Sequence, residues 1–133
     1  VDEAAALPFR PAFDVIALDA PCTGLGSLRR NPDIKWRRHP GDLAAAQRLQ
    51  HDLLARAAAV VAPGGAIAYS TCSTEPEEND DVVGAFLVRR PDFRIDVLPD
   101  VVRPFDVTGL VSLRPEVHGL EGYGGAVLRH VAS

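Results

Sequence analysis

Two cysteines stand in settings suited to covalent chemistry. Cys22 lies in Asp19-Ala20-Pro21-Cys22-Thr23-Gly24-Leu25-Gly26, and Cys72 in Ser70-Thr71-Cys72-Ser73 with Pro76-Glu77-Glu78-Asn79 close behind. A thiolate is intrinsically a strong nucleophile, and its surroundings decide how readily it forms. Three other uses of two thiols compete. A zinc cage fits poorly, because there is no C-x-x-C pair and the four histidines are scattered. A disulfide is formally open, although nothing marks the chain as secreted and reduced thiols are the rule in the cytosol. Taken singly, each cysteine would be read as a buried structural thiol, since free cysteine is often interior.

Charged residues add a second theme. Net charge is −4 and the pI about 5.5, so no global basic field draws the chain to nucleic acid, and any such binding must be local. Arg29, Arg30, Lys35, Arg37 and Arg38 form a local basic stripe around Trp36, opposed only by Asp33. Phosphate contact with an aromatic for stacking is one reading; a solvated loop whose tryptophan anchors it to the core is the other. Glu77, Glu78, Asp80 and Asp81 read as acids favoured by a helix macrodipole. His39, His51, His118 and His130 show no partner spacing and, with Asp33 and Asp92, read as incidental.

The elements that position these residues follow from periodicity. Residues 13–19 (FDVIALD) are a nearly continuous β-branched apolar run, the pattern of a strand buried on both faces of a parallel sheet. Residues 20–41 lack a period and form a long loop of the kind that usually carries function. Asp42, as N-cap, opens a helix with Leu43, Ala46, Gln50, Leu53, Leu54, Ala57, Val60 and Val61 on one stripe, ended by Pro63-Gly64-Gly65. Residues 66–70 are the next strand. Thr74 and Glu77 have capping-box spacing ahead of a helix bearing Val82, Val83, Phe86 and Leu87. Residues 93–98 read as a strand, and stretches 108–113 and 124–131 as an antiparallel hairpin with a long connection.

Strand, helix, strand, helix, strand is the order of an open parallel α/β sheet, a Rossmann-like fold whose ligands sit beyond the carboxyl ends of the strands. That rule brings the Cys22 and Cys72 loops to one edge and gives Asp19 a place in the ligand crevice. The 133 residues, 47% hydrophobic, suffice for one core, and no apolar run approaches the roughly 20 residues a membrane-spanning helix needs. A chain that begins at Val1 and enters a strand-like run almost at once is expected to be part of something longer.

DAPC and TCS on successive strand ends, with PEEN behind, RNPDIKW between them and the Pro63-Gly64-Gly65 turn, resemble the RNA cytosine-5 methyltransferase family, most closely the bacterial Sun (Fmu) rRNA enzymes. The match runs from about Phe13 to Leu87, and it turns the reading of both cysteines from structural to catalytic. The resemblance implies an S-adenosylmethionine-dependent methyltransferase fold, here the C-terminal part of its sheet with a terminal antiparallel hairpin. Residues 1–133 would be the C-terminal portion of the catalytic domain, without the glycine-rich cofactor loop and the N-terminal RNA-binding region.

It also implies the chemistry. Carbon 5 of cytosine is a poor nucleophile until a thiolate adds to carbon 6; after methylation a base removes the carbon 5 proton and the thiolate leaves. By resemblance Cys72 is the nucleophile, Cys22 assists product release, and Asp19 contacts the cofactor, S-adenosyl-L-methionine. The expected substrate is RNA, in the first place 16S rRNA, in the cytoplasm, with no metal or membrane partner. The alternatives are a tRNA cytosine-5 methyltransferase, or an inactive fragment serving as an RNA-binding or interaction module. Glu121-Gly122-Tyr123-Gly124-Gly125 departs from the family's Asp-Gly followed by two aromatics, which leaves the role of the last hairpin open.

Overall fold

A computed structural model of the chain describes residues 13–28, 31–107, 109–119 and 121–131. Strand β1 (Phe13–Asp19) is followed by a 3-10 turn (Leu25–Ser27), a short helix α1 (Ile34–Arg37), the long helix α2 (Asp42–Val60) and strand β2 (Val61–Thr71). A 3-10 turn (Pro76–Glu78) leads into helix α3 (Asp80–Arg89) and strand β3 (Phe93–Ile95). Beyond a 3-10 segment (Asp100–Phe105) come β4 (Asp106–Val107), β5 (Leu110–Leu113), α4 (Pro115–His118) and β6 (Tyr123–His130). No described helix is long and apolar enough to cross a membrane.

The α/β order is as expected, but the sheet is mixed. β1 and β2 pair in parallel, with Asp19 opposite Ser70. β6 then inserts antiparallel against β2, and its other edge carries β5 beside its first half and β3 beside its second. Because β3 and β2 both oppose β6, they run in the same direction, so the strand–helix–strand order survives with the last strand slotted between. The expected hairpin of 108–113 with 124–131 is present as β5 and β6, with Thr108 outside the described residues. One of its strands is therefore central to the sheet.

Glycine makes that insertion feasible. Gly124 and Gly125 lie opposite Thr71 and Ser70. A Cβ on Gly125 would come within 2.4 Å of the Tyr69 carbonyl oxygen, and one on Gly124 within 2.3 Å of the Asn79 side chain. The Gly-Gly pair lets β6 press against the tip of β2, where Cys72 begins its loop.

Helix α2 turns Gln50, Leu54, Ala57 and Ala58 inward, a stripe at helical spacing, against Ile67 and Tyr69 of β2 and Val82, Val83 and Phe86 of α3. Its start differs by one residue from expectation: Gly41 is the N-cap, while Asp42, in the first turn, accepts a hydrogen bond from the His39 N–H. Pro63-Gly64-Gly65 is not the helix stop. α2 ends at Val60, and these three residues form an irregularity inside β2, where the register jumps from Phe13–Val61 to Val15–Ala66.

β1 is the clearest departure. The apolar run predicts burial on both faces, yet among the described residues β1 is bonded only to β2 and leaves Phe13 and Val15 exposed. The Thr74–Glu77 capping box is also absent. A 3-10 turn starting at Pro76 intervenes, and α3 begins only after Asn79. The Asn79 side chain is turned back to accept from Thr71 Oγ1 and donate to the Ser73 and Glu75 carbonyls. Asp80 and Asp81 do occupy the first turn of α3, as acids near a helix N-terminus should.

Candidate active site

The parallel pairing of β1 and β2 delivers both cysteines to one place. Cys22 follows Asp19 by three residues, Cys72 follows its register partner Ser70 by two, and their sulfurs approach to 2.8 Å. Both are free and half-buried, so the disulfide left open by the sequence is not formed. The Ala20 N–H donates to the Ser70 carbonyl, extending the ladder one step past the strand. The Gly26 N–H donates to the Cys72 carbonyl, and the Gly122 N–H to the Gly26 carbonyl, tying the two cysteine loops to the segment before β6.

Burial, with a hydrogen bond to Cys72 as the next cause, pushes the Cys22 thiol up to about 12. Cys22 is accordingly a protonated donor at neutral pH. An unfolded Cys22 loses its proton near 9, whereas the folded one holds it to about 12. Between those values the unfolded chain binds fewer protons, so stability is intact below pH 9 and falls as pH rises toward 12. Thermal melts from pH 8 to 11 should show a steeper loss for the wild type than for Cys22→Ala; parallel curves would mean that Cys22 ionises as freely folded as unfolded.

Glu78 overturns its expected place as a macrodipole acid. Its side chain is completely buried, and Oε1 accepts from the Thr23 N–H at 2.9 Å and from Gln50 Nε2 at 3.1 Å. Oε2 accepts from the Thr23 hydroxyl at 2.7 Å. Gln50 Nε2 also donates to the Pro21 carbonyl at 2.9 Å, and the Tyr69 hydroxyl donates to the Glu78 carbonyl at 2.7 Å. Burial first, then the nearby Glu78, raises the Tyr69 phenol above its usual range. These side chains were missed by sequence reasoning as a site. The available signal was Gln50, a polar residue on the apolar stripe of α2, because buried amides need partners.

Asp19 is exposed at the end of β1, with the Ser70 hydroxyl 3.3 Å from its carboxylate. It borders a cleft of about 280 Å³ over the sheet, floored by small residues including Ala17, Ala68, Gly124 and Gly125. A second cleft of about 270 Å³ opens at Cys22, between Pro21, Arg38 and the first turns of α2. A third, about 600 Å³, lies between Leu25, Gly26, Thr74 and Pro115.

Of the basic stripe, Arg29 and Arg30 lie outside the described residues. Lys35, Trp36, Arg37 and Arg38 are exposed on and after α1, within a loop more ordered than the sequence suggested. Trp36 is 81% exposed, so it does not anchor the loop to the core. Lys35 Nζ lies 5.5 Å from the centre of its ring, and Arg37 pairs with Asp33 at 2.9 Å. Arg38 alone of these four borders the Cys22 cleft. Several residues read as incidental have structural partners: besides Asp33 with Arg37, the ring of His130 stacks on Phe93, its Nε2 lies 3.2 Å from the Asp92 carboxylate, and His118 Nδ1 accepts from the Arg114 N–H.

With this geometry in place, comparison with known proteins is specific. The family described as 16S rRNA methyltransferase RsmB/F matches residues 2–129. The ribosomal RNA small subunit methyltransferase B of Vibrio cholerae is 49% identical over 116 residues, which are 87% of this chain and 25% of that protein. The solved protein PH0851 superposes with a TM-score of 0.83 at 34% identity, covering 90% of this chain and 27% of that one. NSun6 from Pyrococcus horikoshii, solved with SFG, gives a TM-score of 0.72 at 27% identity over 89% of this chain and 30% of its own. The chain spans about a quarter of the length of the curated relatives it matches.

Proposed function

Because the chain belongs to the 16S rRNA methyltransferase RsmB/F family, we propose that it carries the cysteine site for transfer of a methyl group from S-adenosylmethionine to carbon 5 of a cytidine in small-subunit rRNA. The observation that carries this reading is the pair of free thiols 2.8 Å apart at the ends of adjacent parallel strands. Cys72, as thiolate, adds to carbon 6 of the base and makes carbon 5 nucleophilic. Once carbon 5 is methylated, its proton passes to a base, the carbon 5–carbon 6 double bond re-forms, and the Cys72 sulfur leaves with its electron pair. Cys22, which keeps its proton at neutral pH, donates its S–H toward the departing sulfur and stabilises the negative charge that returns there.

S-adenosylmethionine, when bound, supplies the methyl group as an electrophile on a sulfonium. The Asp19 cleft would suit one flank of such a molecule: the exposed carboxylate, which also accepts from the Ser70 hydroxyl, could accept from its hydroxyl or ammonium donors, and the small lining residues would leave it room. Lys35, Arg37 and Arg38, with Arg29 and Arg30, are proposed to contact RNA phosphates, and the exposed Trp36 to stack on a base. The rRNA substrate places the activity in the cytoplasm.

Residues 1–133 are proposed to be the C-terminal portion of the catalytic domain. The quarter-length match to the relatives supports reading the chain as a portion of a longer protein. No observation favours a tRNA substrate or an inactive module. The test uses the full-length protein with methyl-labelled S-adenosylmethionine and small-subunit rRNA, followed by digestion to nucleosides. The label is expected in 5-methylcytidine; label in another nucleoside, or none in RNA, overturns the proposal.

A further inference from the structure

We infer that Glu78 is a positioning residue for the second cysteine: with Gln50 it clamps the chain on both sides of Cys22 and so sets the approach of the two sulfurs. The inference rests on the proposed cysteine chemistry. Cys22 sits between Pro21, whose carbonyl is held by Gln50 Nε2 at 2.9 Å, and Thr23, whose N–H and hydroxyl are held by the two oxygens of Glu78 at 2.9 and 2.7 Å. The clamp closes on itself through the Gln50–Glu78 contact at 3.1 Å. Its base is fixed to the Cys72 strand, because the Tyr69 hydroxyl donates to the Glu78 carbonyl. Asn79, next in sequence, holds Thr71 and the Ser73 carbonyl on either side of Cys72. Adjacent residues of one short turn thus grip the flanks of both cysteines.

A wholly buried acid with donors on both oxygens is costly to keep for stability alone, since well-packed apolar side chains often serve as well. A fixed carboxylate has a clear geometric use here. Sulfur-to-sulfur proton donation depends on sub-ångström placement, and displacement of a reacting group by about 1 Å can cost on the order of 10²-fold in rate. Loss of the clamp should therefore act on the step that needs Cys22, release of the product, and leave attack by Cys72 intact.

The experiment uses the full-length protein with small-subunit rRNA and S-adenosylmethionine, reading covalent protein–RNA adduct and methylated product together. Glu78→Ala and Gln50→Ala should both accumulate adduct and lose turnover, as Cys22→Ala does. Combining either with Cys22→Ala should add little, because the clamp acts only through that cysteine. Glu78→Gln should restore the ratio of adduct to product to within about 3-fold, because its oxygen still serves Thr23 N–H and Gln50 while its amide donates to a rotated Thr23 hydroxyl. Unfolding cannot raise adduct levels, so accumulation separates positioning from mere stability. If Glu78→Ala does not fold, Gln50→Ala carries the test. A native adduct-to-product ratio in the folded Ala variants overturns the clamp, as does a Glu78→Gln variant as defective as Glu78→Ala. Absence of adduct in wild type and Cys22→Ala alike would instead sink the cysteine chemistry itself.

Discussion

Cys72→Ala in the full-length protein should form no covalent RNA adduct and lose methylation by on the order of 10⁴-fold or more, the scale on which an enzyme falls when its nucleophile is removed. Stability should change by only about 1 kcal/mol, because the substitution deletes one half-buried sulfur. Cys22→Ala should have the opposite signature. The adduct should form and persist, because the S–H that faces the Cys72 sulfur at 2.8 Å is gone when that sulfur must leave. Denaturing gel shifts of both variants with labelled rRNA distinguish the two outcomes. Adducts that survive Cys72→Ala and vanish in Cys22→Ala would exchange the two roles.

Gly26→Ala should be the most damaging small change outside the cysteines. An added Cβ would lie 2.1 Å from the Gly122 carbonyl oxygen and 2.8 Å from the Cys72 carbonyl oxygen. Both are backbone atoms that accept or adjoin the hydrogen bonds fixing this loop, so no side chain can swing aside to make room. Overpacking of this kind costs about 3 kcal/mol, and relief by moving the Cys72 loop would misplace the proposed nucleophile, with a rate loss on the order of 10²-fold. Gly84→Ala is the control. Gly84 is exposed in α3 with nothing within 4 Å of a new Cβ, so the change should stabilise by about 0.5–1 kcal/mol through helix propensity. Melting temperatures and initial rates of both variants check the pair; a Gly26→Ala protein as stable and active as wild type would mean that the loop yields easily.

The two cysteine motifs and the elements that carry them were legible because each depends on local information. A β-branched apolar run before DAPC, an apolar stripe along α2 and a strand before TCS are written in consecutive residues. Two parallel strands then bring their carboxyl ends together by rule. The hairpin of β5 and β6 was legible for the same reason, although its central place in the sheet was not. That place depends on the fit of Gly124 and Gly125 against Tyr69 and Asn79, which is a property of packing.

The rest was decided by contacts between distant residues. Glu78 resembles any acid near a helix start; only the fold shows that its donors come from Thr23 and Gln50, 55 and 28 residues away. Trp36 could equally have faced the core, and its exposure follows from the short α1 helix that turns it outward. The capping box failed because Asn79 had a better set of partners in the Cys72 loop. By itself the sequence determined where the two cysteine motifs lie and the order of the elements beneath them, since periodicity and motif spacing act over one or two turns of chain. The tertiary structure alone decided that the Cys22 thiol is pushed up by burial, which acid is buried and where the last strand enters, because burial and hydrogen-bond partnership exist only after distant segments have packed.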